Sequence, residues 1–478
     1  MNQQGARWKI VAVIVVLIAV AGGAGYGWLR NSQKAQIRAY VPEVPTASLN
    51  NDLLQARLED ATDRALNGPD PVEALDELAA VYQANWQLDP AETALEGLIE
   101  LRGDAKHWYR LAALYESQSD FEAALGVLQT VVELAPAYAP AQLRIAKIHV
   151  AQNELQAARE AYAAALKIAP QNGPALVGLA RIAMRDEDWA QARKDLEQAV
   201  ANDPTDGTAW SALSSVYDRL ELPEQAAEAR RETAANPAGG EYSDPWTDEL
   251  ALYSYDVYQL RVSASSVRAA GNRELALKLF QRALSLDPQN AQLHRELAMH
   301  LSSMGEDEKA LSQFRKAAEL EPEDSDNWSY MSQFLHERGL EQEAEDAVWK
   351  GLSYNPESPP LLMYKGKLLA DDGHFAAALQ AFEKSRDLRP TEVSAYIQIA
   401  QMHFRLNQID EGIAAMEEAL KVEPDHPLAL TTLAIHAIGE GDRERAEKWL
   451  QQAKAQYRVP REDVAEIEHR FQMRFGAL

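Results

Sequence analysis

Residues 105–138 read AKHWYRLAALYESQSDFEAALGVLQTVVELAPAY, and residues 139–172 read APAQLRIAKIHVAQNELQAAREAYAAALKIAPQN. The same 34-residue register restarts at residues 173, 207, 257, 291, 325, 359, 393 and 427. Its twentieth position is always small: Ala124, Ala158, Ala192, Ala226, Ala276, Ala310, Ala344, Ala378, Gly412 and Ala446. Eight of the chain's 22 prolines share its thirty-second position: Pro136, Pro170, Pro204, Pro288, Pro322, Pro356, Pro390 and Pro424. A fixed period of this length predicts stacked helical hairpins.

Small residues also occupy the eighth position of the register: Ala112, Ala146, Ala180, Ser214, Ala264, Ala298, Ser332, Gly366, Ala400 and Ala434. Small side chains at positions eight and twenty let two helices approach closely enough for larger neighbours to interlock. The proline near position thirty-two ends the second helix and turns the chain into the next unit. The pattern therefore predicts two helices in every unit.

This pattern resembles the tetratricopeptide repeat over roughly residues 72–460. The resemblance implies an all-α solenoid in which helix-turn-helix units form a right-handed superhelix. It also implies that the inner face, built mainly from first helices, binds peptides or protein segments. A degenerate repeat is predicted over about residues 72–104, one residue out of phase with the others, and residues 461–478 are predicted to form a capping helix.

One interruption breaks the register. From residue 207 to residue 257 is 50 residues, so 16 are inserted, and they include the turn-rich stretch from Gly239 to Trp246. One interpretation is a hinge at residues 241–256 between two arrays, 51–240 and 257–460. The other is a loop or helix extension that packs its aromatic side chains against the array.

The amino-terminal segment contains an uncharged run. Residues 1–9 form a short tail, and the run from Ile10 to Leu29 carries no charge and is long enough for a transmembrane helix. A cleaved signal peptide ending near Ala19-Val20-Ala21 is the alternative. Either interpretation predicts a body on the extracytoplasmic side of the membrane, joined through a polar linker at residues 30–50.

Within that run, Ala19, Gly23 and Gly27 form a small-residue ridge at four-residue spacing. Such a ridge could pack against a second membrane helix. The alternative is that glycine is simply common in membrane helices.

Composition narrows the classes of function. The net charge is -26, and the residues after Arg38 hold 42 basic against 73 acidic side chains, which argues against nucleic-acid binding. The chain has no cysteine, which excludes disulfides, thiolate metal sites and CxxCH haem attachment. No phosphate-binding loop occurs, and His294, Glu296 and His300 do not have HExxH spacing. We therefore expect a non-enzymatic protein without a cofactor.

The family resemblance assigns an inner face to positions 2, 5, 9, 12 and 13 of each first helix. Basic residues at these positions are Lys106, Lys147, Arg181, Arg185, Arg219, Arg261, Arg268, Arg295, Lys367 and Arg405. Acidic residues there are Glu116, Asp218, Asp326, Glu337 and Asp371. The predicted peptide-binding groove consists of Lys147, Arg181, Arg185, Arg219, Arg261, Arg268 and Arg295, which favour an acidic protein or peptide segment. The alternative is that these side chains pair with acids on adjacent helices.

A second resemblance concerns the whole layout. The Val41-Pro42-x-Val44-Pro45 segment, the helix from Leu75 to Asn85 and the Asp244-Pro245-Trp246 insert look like those of membrane-anchored bacterial tetratricopeptide proteins. Bacterial relatives of this layout serve in cytochrome maturation, translocon assistance and outer-envelope assembly. The resemblance implies a membrane-anchored scaffold that binds protein segments. A non-catalytic regulatory subunit of a membrane redox or transferase complex is the alternative, and the oligomeric state is left open.

Overall fold

The computed structural model of the protein describes residues 35–44, 51–236, 242–456 and 459–476, and these ranges contain helices and no strand. The helices are α1 (35–40), α2 (Asp52–Asn67), α3 (Pro71–Ala84), α4 (Leu88–Arg102), α5 (Ala105–Ser117), α6 (Phe121–Leu134), α7 (Ala139–Ala151), α8 (Leu155–Ile168), α9 (Gly173–Arg185), α10 (Trp189–Asn202), α11 (Gly207–Arg219), α12 (Pro223–Ala235), α13 (Pro245–Asp248), a 3₁₀ helix (Glu249–Tyr253), α14 (Val257–Ala269), α15 (Arg273–Leu286), α16 (Ala291–Ser303), α17 (Asp307–Leu320), α18 (Ser325–Glu337), α19 (Glu341–Tyr354), α20 (Pro359–Asp371), α21 (Phe375–Leu388), α22 (Val393–Arg405), α23 (Ile409–Val422), α24 (Pro427–Glu440), α25 (Arg443–Ala455) and α26 (Arg461–Phe475). The prediction of an all-helical solenoid of hairpin repeats is confirmed.

Ile10–Leu29 and the small-residue ridge of Ala19, Gly23 and Gly27 lie outside the described residues. Within the residues that the structure describes, no helix has the length and apolar character needed to cross a bilayer. The transmembrane helix and the ridge stay predictions.

The described residues form two compact units. Unit 1 comprises the described residues up to Ala175 together with Tyr242–Val267, and unit 2 comprises the remainder. The insert therefore belongs to unit 1, although the chain reaches it only after the first helices of unit 2. The first helix contacts the second helix that follows it in the hairpins α3–α4, α5–α6 and α7–α8 of unit 1 and α11–α12, α16–α17, α18–α19, α20–α21, α22–α23 and α24–α25 of unit 2.

The turn inside each of the ten regular hairpins has a left-handed residue at the fifteenth position of the register. Glycine occupies it in five repeats and other residues in five: Gly271, Gly305, Gly339, Gly373 and Gly441, and Ser119, Asn153, Glu187, Glu221 and Asn407. A side chain at Gly339 would meet no atom within 4 Å. Glycine is therefore favoured there by its positive φ of 70° rather than by lack of space.

Close helix approach explains the small residues at positions eight and twenty. Ala146 and Ala158 are completely buried. A Cβ atom added to Gly366 would lie 2.4 Å from the Phe382 ring, and one added to Gly412 would lie 2.3 Å from the ring of Phe404. Larger side chains would therefore force the two helices of a hairpin apart.

The first hairpin differs from the prediction of a uniform one-residue shift. Helix α3 begins at Pro71, one full period before the start of α5 at Ala105, and is therefore in register. The extra residue lies in the turn, where Trp86 instead of residue 85 takes the positive φ of 59°. Only the second helix, α4, is displaced.

Residues 35–44, predicted as part of a polar linker, pack on unit 1. Ile37 is fully buried in the same apolar cluster as Leu58 and Leu75. Gly97 leaves room for Tyr40, because a Cβ there would lie 2.4 Å from that of Tyr40. The linker prediction is wrong for this stretch, because Ile37 and Tyr40 pack against the apolar cluster of unit 1.

Candidate peptide-binding surface

The insert lies on the first helices of unit 1. The Asn85 side chain donates a hydrogen bond to the carbonyl of Tyr253 (2.9 Å) and accepts one from the N–H of Tyr255 (2.9 Å). The Asn51 side chain also donates to the carbonyl of Tyr255 (3.3 Å). Helix α13 contacts α5, and the 3₁₀ helix contacts α3. The caps Asn51 and Asn85, at the ends of α2 and α3, therefore hold a short segment by its backbone, whereas the hinge at 241–256 stays a prediction.

Asp244 is the most strongly held side chain of the insert. The hydroxyls of Tyr109 and Tyr138 each donate to its carboxylate at 2.6 Å, one to each oxygen. Nη2 of Arg144 donates to Oδ2 at 3.1 Å. The Asp244 side chain is 17% exposed. Three donors that converge on one shielded carboxylate form a carboxylate-recognition site.

Trp246 occupies the apolar side of the same site. Its ring stacks on Tyr138 with centroids 3.6 Å apart and an interplanar angle of 15°. It meets Tyr109 edge-on at 5.6 Å and 72°. The backbone N–H of Trp246 donates to the Tyr138 hydroxyl at 3.2 Å. We call the group Tyr109, Tyr138 and Arg144 the tyrosine–arginine clamp.

The clamp is held in place by contacts of its own. Arg144 pairs with Glu116, and its Nε donates to the Tyr109 hydroxyl at 3.1 Å. Its guanidinium lies 4.9 Å from the centroid of the Tyr109 ring. Burial alone would lower the pKa of Arg144, but Tyr109, Glu116 and Asp244 together raise it. Burial followed by the contact with Asp244 raises the pKa of Tyr138, so its hydroxyl stays protonated and able to donate.

A buried charge network lies one repeat before the clamp. Arg110 is 1% exposed; its Nη1 donates to Asp76 at 2.5 Å and its Nε donates to Gln83 at 3.1 Å. A ring nitrogen of His107 lies 3.5 Å from the same Asp76 oxygen. Burial alone would raise the pKa of Asp76, but the hydrogen bond with His107 and the charge of Arg110 lower it well below its usual range.

The charged residues Asp76, Arg110 and Arg144 lie at a position that the sequence-based prediction of the inner face did not include. Asp76, Arg110 and Arg144 recur at one full period of the register and share the sixth position of the first helix. Position six was not among the inner-face positions that the family resemblance supplied. The recurrence of charged residues at one phase was the signal that could have found them.

Unit 2 carries an exposed first-helix surface with similar chemistry. Arg295 lies 5.7 Å from the ring centroid of Tyr330, and Tyr330 is 39% exposed. Met299 is 38% exposed. Lys367 is exposed and lies 5.1 Å from the ring of Tyr364, whose pKa burial raises to about 12. We call Arg295, Met299, Tyr330, Tyr364 and Lys367 the unit 2 aromatic surface.

The seven predicted groove residues belong to different units. Lys147 and Arg261 lie in unit 1, and Arg181, Arg185, Arg219, Arg268 and Arg295 lie in unit 2. Among these, Lys147, Arg181, Arg185, Arg219 and Arg268 are exposed, whereas Arg261 and Arg295 are partly buried.

Three of the predicted residues have neighbours that limit their freedom. Arg295 donates to Asp324 at 2.8 Å, which is the pairing alternative considered above. Arg219 lies over the ring of Trp189, and Arg261 over that of Tyr258. The carboxylate contact seen in unit 1 uses Arg144, which the prediction did not include.

The histidines discussed in the sequence analysis have structural partners. A ring nitrogen of His294 lies 2.6 Å from the Gln313 side-chain oxygen. His300 is completely buried and bonds the carbonyl of Arg273 at 2.9 Å, and burial lowers its pKa. Over the described ranges, no three His, Cys, Asp or Glu side chains are grouped as metal ligands.

Parts of this chain match known sequences. A family model described as tetratricopeptide repeat matches residues 116–171, 150–216, 267–326 and 408–466. These stretches are tetratricopeptide repeats. A curated relative, the peroxisomal targeting signal receptor of Pichia angusta, is 33% identical over 89 residues. That alignment covers 18% of this chain and only 16% of the receptor.

Solved structures of similar architecture cover more of the chain at low identity. Yeast Tom70 is 15% identical, with 84% of this chain and 95% of that one covered and a TM-score of 0.39. The Cut9–Hcn1 hetero-tetramer of the APC/C is 13% identical, with 89% and 97% covered and a TM-score of 0.37. YrrB, a tetratricopeptide protein with an unusual peptide-binding site, is 20% identical, with 37% and 92% covered and a TM-score of 0.30. At these TM-scores the similarities carry no argument about the function of this chain.

Proposed function

We propose that this protein is a non-enzymatic scaffold whose first helices bind protein or peptide segments that carry carboxylate and aromatic side chains. The observation that supports the proposal most is the insert on unit 1, where Asp244 accepts hydrogen bonds from the clamp and Trp246 stacks on Tyr138. A repeat surface that holds one segment of this chemistry is suited to hold others.

The open surfaces of unit 2 are the proposed sites for a partner. The unit 2 aromatic surface offers exposed Tyr330 and Met299 and the exposed positive charge of Lys367, whereas Arg295 pairs with Asp324. Arg181, Arg185 and Arg268 add exposed guanidinium groups on first helices of the same unit. Guanidinium groups bind carboxylates through two parallel donors, and exposed tyrosines provide stacking area, so an acidic segment with an aromatic residue fits best.

A membrane location is a second part of the proposal and rests on the sequence. We propose that Ile10–Leu29 anchors the chain in a bilayer, with the body on the extracytoplasmic side and a role in envelope assembly or cytochrome maturation. Ile37 is buried against unit 1, so the part of the linker between the proposed anchor and unit 1 is shorter than predicted. The five residues 30–34 span at most about 17 Å, which would keep unit 1 at the membrane surface.

Protease treatment of intact spheroplasts tests the location. We expect the body to be digested from outside the cell while a fusion at the amino terminus stays protected. Protection of the body until the membrane is lysed would contradict the extracytoplasmic location without affecting the peptide-binding proposal.

Selection from a random-peptide library on the full-length chain tests the binding function. We expect enrichment of peptides that combine a carboxylate with an aromatic residue, and loss of that enrichment when Arg181, Arg185 and Arg268 are changed to glutamate. The matched control changes the exposed second-helix residues Lys194, Lys278 and Lys316 to glutamate, which alters the net charge equally. Equal enrichment on the two triple variants would overturn the assignment to first helices.

A further inference from the structure

The insert covers unit 1 in the way that a bound ligand does. No residue from Tyr242 to Tyr253 is buried, although Trp246 and Tyr253 pack against apolar clusters of unit 1 and Ser254 is 3% exposed. Beneath it, Tyr109 is 1% exposed and the Arg144 side chain is 19% exposed. The insert therefore covers polar groups of the helices with its own Asp244, whose side chain is 17% exposed.

Contacts within the clamp and with α5 position Arg144 and the two tyrosine rings, whereas the Tyr138 hydroxyl bonds Asp244 and Trp246 of the insert. Arg144 is positioned by its ion pair with Glu116 and its hydrogen bond to Tyr109, and both partners lie on α5. Tyr109 and Tyr138 contact each other edge-on, with centroids 5.2 Å apart and an interplanar angle of 87°. If Asp244 and Trp246 left, a preformed site would open, with two hydroxyl donors, one guanidinium and a ring face.

We propose that the tyrosine–arginine clamp is a peptide-binding site and that the chain's own Asp244-Pro245-Trp246 segment occupies it as an intramolecular competitor. The ligand that it excludes is a segment of a partner protein with the same order of groups, an acidic residue followed by proline and tryptophan. The carboxylate meets both tyrosine hydroxyls and Arg144, and the indole stacks on Tyr138. This inference rests on the proposed binding of peptide segments by first helices, but it concerns unit 1, so its test can fail separately from the test of unit 2.

Covalent attachment makes the insert an effective competitor. A segment joined to its site through a short linker acts at an effective concentration of order 1 mM, so a free peptide of equal intrinsic affinity is largely excluded at micromolar concentration. A partner gains access only by contacting more of the surface or by binding when the insert has left. The resting protein is therefore autoinhibited at the clamp.

Peptide binding to an emptied site tests the proposal. The probe is a fluorescein-labelled synthetic peptide, YSDPWTDELALYSY, which is the sequence of residues 242–255. Fluorescence anisotropy is measured with the full-length wild-type chain and with a full-length variant carrying Asp244→Ala and Trp246→Ala. We expect the variant to bind the peptide at least about tenfold more tightly than the wild type, because its own competitor is removed.

Two controls assign the binding to the clamp. The same peptide with both alanine substitutions should not bind the emptied variant. Adding Tyr109→Phe and Tyr138→Phe to the emptied variant keeps both rings but removes two donors to a charged group, and we expect peptide binding at least about tenfold weaker. Equal binding with and without the two hydroxyls would overturn the carboxylate site.

Folding of the variants decides between a ligand and a structural element. A folded emptied variant, checked by circular dichroism and thermal unfolding, that fails to bind the peptide would overturn the proposal. If the double variant does not fold, Asp244→Asn replaces it, since this change keeps the side-chain size and removes the charge. Loss of folding in that variant as well would also overturn the proposal, because the insert would then be an integral part of unit 1.

Discussion

Replacement of Asp76 by asparagine tests the charge network beneath the insert. The Arg110 side chain is 2% exposed and that of Asp76 is 26% exposed, so the substitution leaves a buried guanidinium without its counter-charge. Breaking a buried ion pair costs about 3–5 kcal/mol, and the bonds that Arg110 keeps to Gln83 and to the new amide oxygen reduce this. We expect a loss of about 2–3 kcal/mol in the free energy of local opening of unit 1.

The effect of Asp76→Asn should depend on pH in a definite direction. The folded structure lowers the pKa of Asp76, so the ionised carboxylate contributes its stability above the unfolded-state pKa and loses it as the pH falls. The difference between wild type and variant should be complete above about pH 5 and should shrink by about 1.4 kcal/mol per pH unit below about pH 3.9.

Hydrogen exchange of peptides from α3 and α5 is the assay for this prediction, because a repeat array opens locally and need not unfold in a single step. The matched control is Glu73→Gln on the same helix, whose pair with Arg102 has side chains 65% and 37% exposed. An exposed pair of this kind contributes at most about 0.5 kcal/mol. An equal effect of the two substitutions, or a difference for Asp76→Asn that does not change between pH 7 and pH 3, would refute the reasoning.

The remaining predictions concern glycines that have distinct structural causes. Gly339→Ala should destabilise unit 2 by about 1 kcal/mol, because a Cβ meets nothing there and only the positive φ opposes it. Gly126→Ala, inside α6 and equally uncrowded, should stabilise unit 1 by about 0.5–1 kcal/mol. Urea unfolding of both variants measures the sign of each change in the free energy of unfolding. The same sign for both variants would contradict the role of the positive φ in the turn. Gly366→Ala should destabilise by about 1–3 kcal/mol through its clash with Phe382, and compensation by Phe382→Leu in a double-mutant cycle would show that the contact is the cause.

The architecture could be predicted from the sequence because the same residue pattern recurs in ten repeats. Alanine at position twenty and proline at position thirty-two recur with one phase, and helix α5 begins at Ala105 and α24 at Pro427, as the register requires. The turn residue at position fifteen was also visible, since Gly271, Gly305 and Gly339 follow one another at the period of the register. It was missed because five repeats place other residues there, which hides the common backbone requirement.

The site was harder to predict because it joins residues that are distant in the sequence. Asp244 meets Tyr109 and Arg144 across 135 and 100 residues, and no local pattern couples an insert to a first helix. The count of basic residues at the expected inner positions found exposed charges such as Arg181, yet the carboxylate contact that the structure shows uses Arg144 at another position. The sequence alone therefore indicates which charged residues are exposed, but not which residues they contact.

The central claim is that partners bind to first helices, and site-specific crosslinking tests it most directly. A photoreactive phenylalanine analogue is placed at Tyr330 on first helix α18 or at Trp349 on second helix α19, which are 39% and 46% exposed in the same unit. The full-length protein is crosslinked in intact cells, and the attached segment is sequenced. We predict that the analogue at position 330 crosslinks to a discrete protein segment with acidic and aromatic residues. Changing Arg181, Arg185 and Arg268 to glutamate should abolish this product. The analogue at position 349 should give no product. Equal crosslinking at both positions, or crosslinking from position 349 alone, would contradict the account.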